Sequence, residues 1–151
     1  MKNEHKVLVV FLLFFQLVVG QTAPIAQIDN YATQTNISVN IDAPGILEND
    51  TDTDNDTLKV TLFLVNNIVF KAGKTANFRE GSIVINSNGS FNFIPTTNYN
   101  GKIPEIEYTI SDGTYKVSSK LNLTIINLFS PTPRDDYRTA EINTTLKIDA
   151  P

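Results

Sequence analysis

Between Lys116 and Ile126 apolar and polar side chains alternate with a period of two: Val117, Leu121, Leu123 and Ile125 share one face, and Lys120, Asn122 and Thr124 the other. A strand with one apolar face must bury that face against a second layer, so this run requires a sheet with one side in a core and one side in water. Similar short β-branched and aromatic runs, broken by Asn, Asp, Gly and Pro, recur from Tyr31 onward, and no stretch sustains a helical period. The pattern predicts an all-β sandwich with about seven strands, over 36–41, 57–65, 68–71, 82–86, 90–94, 106–111 and 116–126. Ser87-Asn88-Gly89 and Ser111-Asp112-Gly113 read as hairpin turns, because Asn and Asp tolerate a positive φ and Gly supplies one at no steric cost.

At 151 residues the chain suffices for one ordinary core, which leaves two segments to explain. Lys2, His5 and Lys6 precede the apolar run from Val7 to Val19, which is shorter than the ~20 residues that cross a bilayer and ends at Val18-Val19-Gly20. Residues 1–20 are expected to be a signal peptide, cleaved between Gly20 and Gln21, with an uncleaved membrane anchor as the alternative. No Cys follows the cleavage point, so a lipid anchor there is not expected. Secretion to the cell surface or medium follows from this reading.

The chain has 12 basic and 16 acidic side chains; without Lys2, Lys6 and Glu4 these become 10 and 15, a net charge of −5. An acidic surface does not suit phosphate backbones, so no nucleic-acid partner is expected. The chain has no Cys, and its single histidine, His5, leaves with the signal peptide. The mature chain therefore lacks the groups for Ser-His-Asp or Cys-His nucleophiles and for His or Cys zinc sites. With no disulfide available, stability has to come from the core, from bound ions or from neighbouring repeats.

A second organising feature is internal. Asp29-Asn30-Tyr31-Ala32-Thr33, Asn36 and Ile41-Asp42-Ala43-Pro44 return as Asp135-Asp136-Tyr137-Arg138-Thr139, Asn143 and Ile148-Asp149-Ala150-Pro151, with Asn36 and Asn143 107 residues apart. Recurrence at about one domain length predicts tandem modules. The expected division is a signal peptide over 1–20, one complete repeat over 21–129, and a linker with the truncated first strand of a second repeat over 130–151. Ser130-Pro131-Thr132-Pro133 is the stiff part of that linker. The expected partners are neighbouring repeats of the same chain, together with surface glycans or proteins.

The chemical candidate is the run Asp50 to Asp56, with carboxylates at Asp50, Asp52, Asp54 and Asp56, hydroxyls at Thr51 and Thr53 and an amide at Asn55. Such closely spaced negative charges are tolerable in open water or around a cation. Ca²⁺ takes ~6–8 oxygen ligands in flexible geometry, and alternating acids in a loop can turn several oxygens toward one point. The spacing is not that of an EF-hand, which needs Gly at the sixth position and Glu at the twelfth. A solvated acidic loop at the end of the sandwich is the alternative.

Several motifs in order carry a resemblance. They are Pro24-Ile25-Ala26 leading to Asp29 and Tyr31, the run Ile46 to Leu58, Asn88-Gly89-Ser90-Phe91-Asn92-Phe93-Ile94-Pro95 with Asn98-Tyr99-Asn100-Gly101, and Tyr108-Thr109-Ile110-Ser111-Asp112-Gly113. Through them residues 24–126 resemble the bacterial immunoglobulin-like and cadherin-like tandem repeats of large secreted adhesins. The resemblance implies an immunoglobulin-like Greek-key sandwich acting as a structural or adhesive module that Ca²⁺ stiffens. It also implies Asp29 and Asp112 as the acids that would complete a calcium site, although a strand start and a turn former are their plainer roles. Asn55 stands where the family commonly has Gly and can take the same left-handed conformation.

Two other constellations invite chemistry. Glu105 and Glu107 are two apart on one strand and so point the same way, as a glycosidase pair would, but Ile106 between them marks the core side and leaves both acids on the wet face. Phe63, Phe91, Phe93, Tyr99 and Tyr108 suit a sugar-stacking platform, yet aromatics at alternate strand positions more often close a sandwich, which leaves Tyr115, beside a Gly turn, as the exposed one. No catalytic residues are expected. A carbohydrate-binding accessory module is the alternative to the structural reading.

Overall fold

The computed structural model describes residues 20–126. Nine strands are formed there: β1 Asp29–Gln34, β2 Val39–Ile41, β3 Lys59–Val65, β4 Ile68–Lys71, β5 Thr75–Phe78, β6 Gly81–Ile85, β7 Phe91–Pro95, β8 Ile106–Ser111 and β9 Lys116–Ile126, with a 3-10 turn at Gly45–Leu47 between β2 and β3. They make two sheets, one ordered β1-β9-β8-β3-β4 and the other β2-β7-β6-β5. The chain changes sheet between β1 and β2, β2 and β3, β4 and β5, and β7 and β8, as a Greek-key sandwich requires. Neighbours are antiparallel except β1 and β9, which run parallel from Asp29 opposite Leu121 to Gln34 opposite Ile126.

Alternation along the strands decides which side chains meet between the sheets. In β9 Leu121 and Leu123 are buried and Val117 and Ile125 are partly buried, while Lys120 and Thr124 are exposed. In β8 Ile106, Tyr108 and Ile110 turn inward, and Phe91 and Phe93 of β7 meet them from the other sheet. Tyr31 stands edge-on to Phe91, with ring centroids 4.9 Å apart. Each fully buried large apolar side chain contributes roughly 1.5–3 kcal/mol of transfer free energy. The described residues thus hold one continuous core without a disulfide.

The strand count is nine, not about seven, and the differences have local causes. β1 and β5 were not among the seven expected ranges, although Asp29 was expected to start a strand, and the strand expected over 36–41 is confined to Val39–Ile41. Asn36 has φ +65° and lies in a turn closed by the Ile37 N–H donating to the Gln34 carbonyl at 3.0 Å, so extended backbone begins only beyond it. The expected signal peptide falls outside the described residues except for Gly20, and the linker and second-repeat strand over 130–151 fall wholly outside them.

Candidate functional site

One end of the sandwich gathers the acidic loop, and the fold beneath it explains its shape. The 3-10 turn rests on the β6–β7 hairpin: the Ile46 N–H donates to the Gly89 carbonyl at 3.0 Å. Gly89 has φ +84°, and a Cβ there would lie 1.9 Å from the Pro44 carbonyl oxygen, so only Gly permits this approach. The loop leaves the turn with the Asp50 N–H on the Leu47 carbonyl at 3.3 Å.

The segment before β1 then binds the loop along its length. Ile25 and Thr51 exchange backbone hydrogen bonds of 2.8 and 3.0 Å. The Gln27 N–H donates to Asp50 Oδ1 at 2.8 Å, and the Gln27 side-chain amide donates to the Asn49 carbonyl at 2.8 Å. Thr22 gives both its N–H, at 2.6 Å, and its hydroxyl, at 2.8 Å, to Asp54 Oδ2. These two donors favour the ionised form and hold the Asp54 carboxyl below the usual carboxylate range.

Within the loop Asp52 has two tasks. Its Oδ1 accepts the N–H groups of Asp54, at 2.9 Å, and Asp56, at 3.0 Å, and so fixes the curl that brings alternate carboxylates to one side. Asn55 completes the curl with φ +62°, the left-handed conformation expected of it. As a result Asp52, Asp54 and Asp56 each offer one oxygen, all within 4.8 Å of one another. Asp50, Asp52 and Asp56 also line one surface groove with Pro44, Leu47 and Asn88. Asp50 Oδ2 and Asp52 Oδ2 are buried oxygens without a protein donor.

The other two acids are placed differently. Asp29 is 6% exposed and its Oδ2 accepts the Tyr108 hydroxyl at 2.6 Å. Burial pushes its pKa up to about 6, the charge of Asp50 adds to the rise, and hydrogen bonds from Tyr108 and Asn49 oppose it. Asp50 is raised too, mainly by burial, against the hydrogen bond from Gln27. Burial, followed by the bond to Asp29, likewise pushes the Tyr108 hydroxyl up. Asp112 Oδ1 accepts the N–H groups of Thr114 and Tyr115, both at 2.6 Å, which is the turn-forming role. Its Oδ2 is buried without a partner, and Asp112 lines a depression shared with Asp56, Thr57 and Lys59.

Of the six acids singled out in the sequence, the structure draws Asp52, Asp54 and Asp56 into one cluster, sets Asp50 in one groove with Asp52 and Asp56, ties Asp29 to Tyr108 and uses Asp112 to cap a turn. An all-oxygen set on one loop, with buried oxygens of Asp50 and Asp52 lacking donors, fits a hard divalent cation such as Ca²⁺. Thr22, Gln27 and Asn49 escaped the sequence reading. Their roles depend on the pairing of Ile25 with Thr51, for which the Pro24-Ile25-Ala26 motif was the available signal.

The competing constellations are placed as well. Glu105 and Glu107 are both exposed on either side of buried Ile106, and Glu105 pairs with Lys120 at 3.0 Å, a surface ion pair of about 0–1 kcal/mol. Phe63, Phe91, Phe93 and Tyr108 are buried, so they provide no stacking platform. Tyr99 is half-buried with its hydroxyl on the Lys102 carbonyl, and Tyr115 is 43% exposed.

A family model described as a bacterial cadherin-like domain matches residues 21–127. Among solved structures, a nucleoside hydrolase-related hypothetical protein from Saccharophagus degradans, associated with carbohydrate metabolism, is similar with a TM-score of 0.46 and 16% identity, over 70% of this chain and 26% of that one. An endo-fucoidan hydrolase of glycoside hydrolase family 107 is similar with a TM-score of 0.41 and 15% identity, over 68% of this chain and 15% of that one. This chain therefore spans well under two thirds of either protein. No curated protein matches the sequence.

Proposed function

The chain belongs to the bacterial cadherin-like domain family, and on that premise we propose that it is a non-catalytic spacer and adhesive module of a secreted or surface protein, stiffened by Ca²⁺ at Asp52, Asp54 and Asp56. Domains of this family are typically extracellular and without catalytic activity. Among the described residues no helix is long and apolar enough to cross a membrane.

The observation that carries the spacer reading is the parallel pairing of β1 with β9. Because the first and last strands of the sandwich run in the same direction, the chain enters the module at one end and leaves at the other. Modules built this way stack in series, each adding roughly the length of its longest strand, about 35 Å for the 11 residues of β9 at ~3.3 Å per residue. The acidic loop lies at the end where the chain enters, which is where a cation would stiffen a junction with a preceding element. Export through residues 1–20 and contact with neighbouring repeats belong to the same reading.

Asp52, Asp54 and Asp56 would hold the ion through one oxygen each, with Asp50 beside them, and the ion would supply the charge that neutralises the cluster. The test is thermal melting of the secreted chain in calcium and in EDTA. A site bound at 100 times its Kd adds about 2.7 kcal/mol, which moves the Tm of a domain of this size by roughly ten degrees or more. Identical melts would end the calcium reading. Glycan binding lost on Tyr115→Ala would favour a carbohydrate-binding module instead, and hydrolysis abolished by Glu105→Gln would favour an enzyme.

A further inference from the structure

Three dipeptides among the described residues place Gly after Asn or Asp: Asn88-Gly89, Asn100-Gly101 and Asp112-Gly113. Such pairs are chemically labile. The backbone nitrogen of the glycine, losing its proton, attacks the side-chain Cγ of the preceding residue. From Asn the carboxamide nitrogen leaves as ammonia and a five-membered succinimide remains. Water then adds to either carbonyl of the ring and opens it to an aspartyl or an isoaspartyl linkage. The attack needs a glycine nitrogen free to deprotonate and a side chain free to swing toward it.

The fold withholds both from two of the three pairs. The buried Gly89 donates its N–H to the Asn86 carbonyl at 3.0 Å, and Asn88 Oδ1 is held by the N–H of Ser90, at 3.2 Å, and its hydroxyl, at 2.7 Å. The Gly113 N–H donates to Ser111 Oγ at 3.0 Å, and Asp112 Oδ1 is held by Thr114 and Tyr115 at 2.6 Å. Asn100 and Gly101 are both exposed, in a segment outside any strand, and neither the Asn100 side chain nor the Gly101 N–H has a hydrogen-bond partner among the described residues. We propose that Asn100 is a site of spontaneous deamidation through a succinimide closed by Gly101, while the fold protects Asn88.

The reaction puts a new negative charge beside Lys102, whose backbone bridges to Thr124 near the end of β9. That is the end of the sandwich opposite the acidic loop, so the change alters with age the face from which the chain leaves the module.

The experiment is incubation of the purified full chain in mildly alkaline buffer, with fragment-ion mass mapping of Asn88 and Asn100 over time and isoaspartyl detection by enzymatic methylation. In the folded chain conversion at Asn100 should outpace Asn88 by about tenfold or more, because reaction at Asn88 requires local opening first. In denaturant the two rates should converge, and Asn100→Gln should abolish the early isoaspartyl signal. Equal rates in the folded chain, an Asn100 that stays an amide while the denatured chain reacts, or a difference that persists in denaturant would each overturn the proposal.

Discussion

The hydroxyl of Tyr108, on β8, donates to Oδ2 of Asp29, at the start of β1, at 2.6 Å, a bond between residues 79 positions apart. The same hydroxyl oxygen lies 3.0 Å from the Gln27 carbonyl, and the Ser119 hydroxyl donates to that carbonyl at 2.6 Å. One polar cluster therefore anchors the incoming chain, the edge strand and the floor of the acidic loop. Tyr108→Phe keeps the ring in the core but leaves a buried carboxylate short of a donor, which costs about 1–3 kcal/mol. Chemical denaturation would show this as a lower midpoint with an unchanged slope; a midpoint equal to that of the parent chain would show that the bond is not stabilising.

Asp29 also sets a pH dependence. Its pKa in the fold is raised from 3.8 to about 6, so between those values the folded chain binds a proton that the unfolded chain does not. Its contribution to stability is fully present below about pH 4 and is lost as pH rises to about 6, on the order of 3 kcal/mol for this one group. The raised Asp50 adds to the trend, whereas Asp54, lowered by Thr22, opposes it. In chelator, Asp29→Asn should flatten the decline between pH 4 and 6, because the amide stays neutral and its oxygen can still accept from Tyr108. An unchanged pH profile of the denaturation midpoint would rule Asp29 out as the source.

Two glycines separate steric from conformational cost. Both Gly89 and Gly113 have positive φ, +84° and +107°, but a Cβ at 89 would meet the Pro44 carbonyl at 1.9 Å, while one at 113 would meet nothing within 4 Å. Gly113→Ala should cost about 1 kcal/mol, the backbone strain alone. Gly89→Ala should cost at least twice that, because the hairpin and the 3-10 turn must part to admit it. Comparable melting temperatures for the two variants would contradict this placement of the hairpin.

How much of this was legible in the sequence depended on where each signal is stored. β9 and β8 were readable because alternation along one strand reports burial directly, and the Asn-Gly and Asp-Gly turns because they require positive φ. β1 was legible only as a strand start at Asp29: Asp29–Gln34 has no apolar alternation and is held by parallel pairing to β9, the Tyr108 bond and the contact of Tyr31 with Phe91. β5 was missed because Ala76, fully buried, and the half-buried Phe78 are its only inward residues, and Ala is a poor strand former. The acidic alternation of the loop was plain, but not the division of labour within it. That Asp52 spends one oxygen on its own loop and Asp54 one on Thr22 follows from backbone paths that a linear pattern does not encode.

That division makes Asp52 the position at which loop order and cation binding can be pulled apart. Asp52→Asn retains an oxygen able to accept the N–H groups of Asp54 and Asp56 but removes a negative charge from the cluster. Asp52→Ala removes both. In EDTA the Asn variant should melt at or slightly above the parent chain, because repulsion among Asp52, Asp54 and Asp56 is relieved, while the Ala variant should lose about 1 kcal/mol for its uncapped amides. In calcium the parent chain alone should gain stability, since both variants lack the Asp52 charge. If the Asn variant gains as much from calcium as the parent, the ion does not sit on this cluster; if the Ala variant matches the parent in EDTA, the Asp52 bonds do not hold the loop.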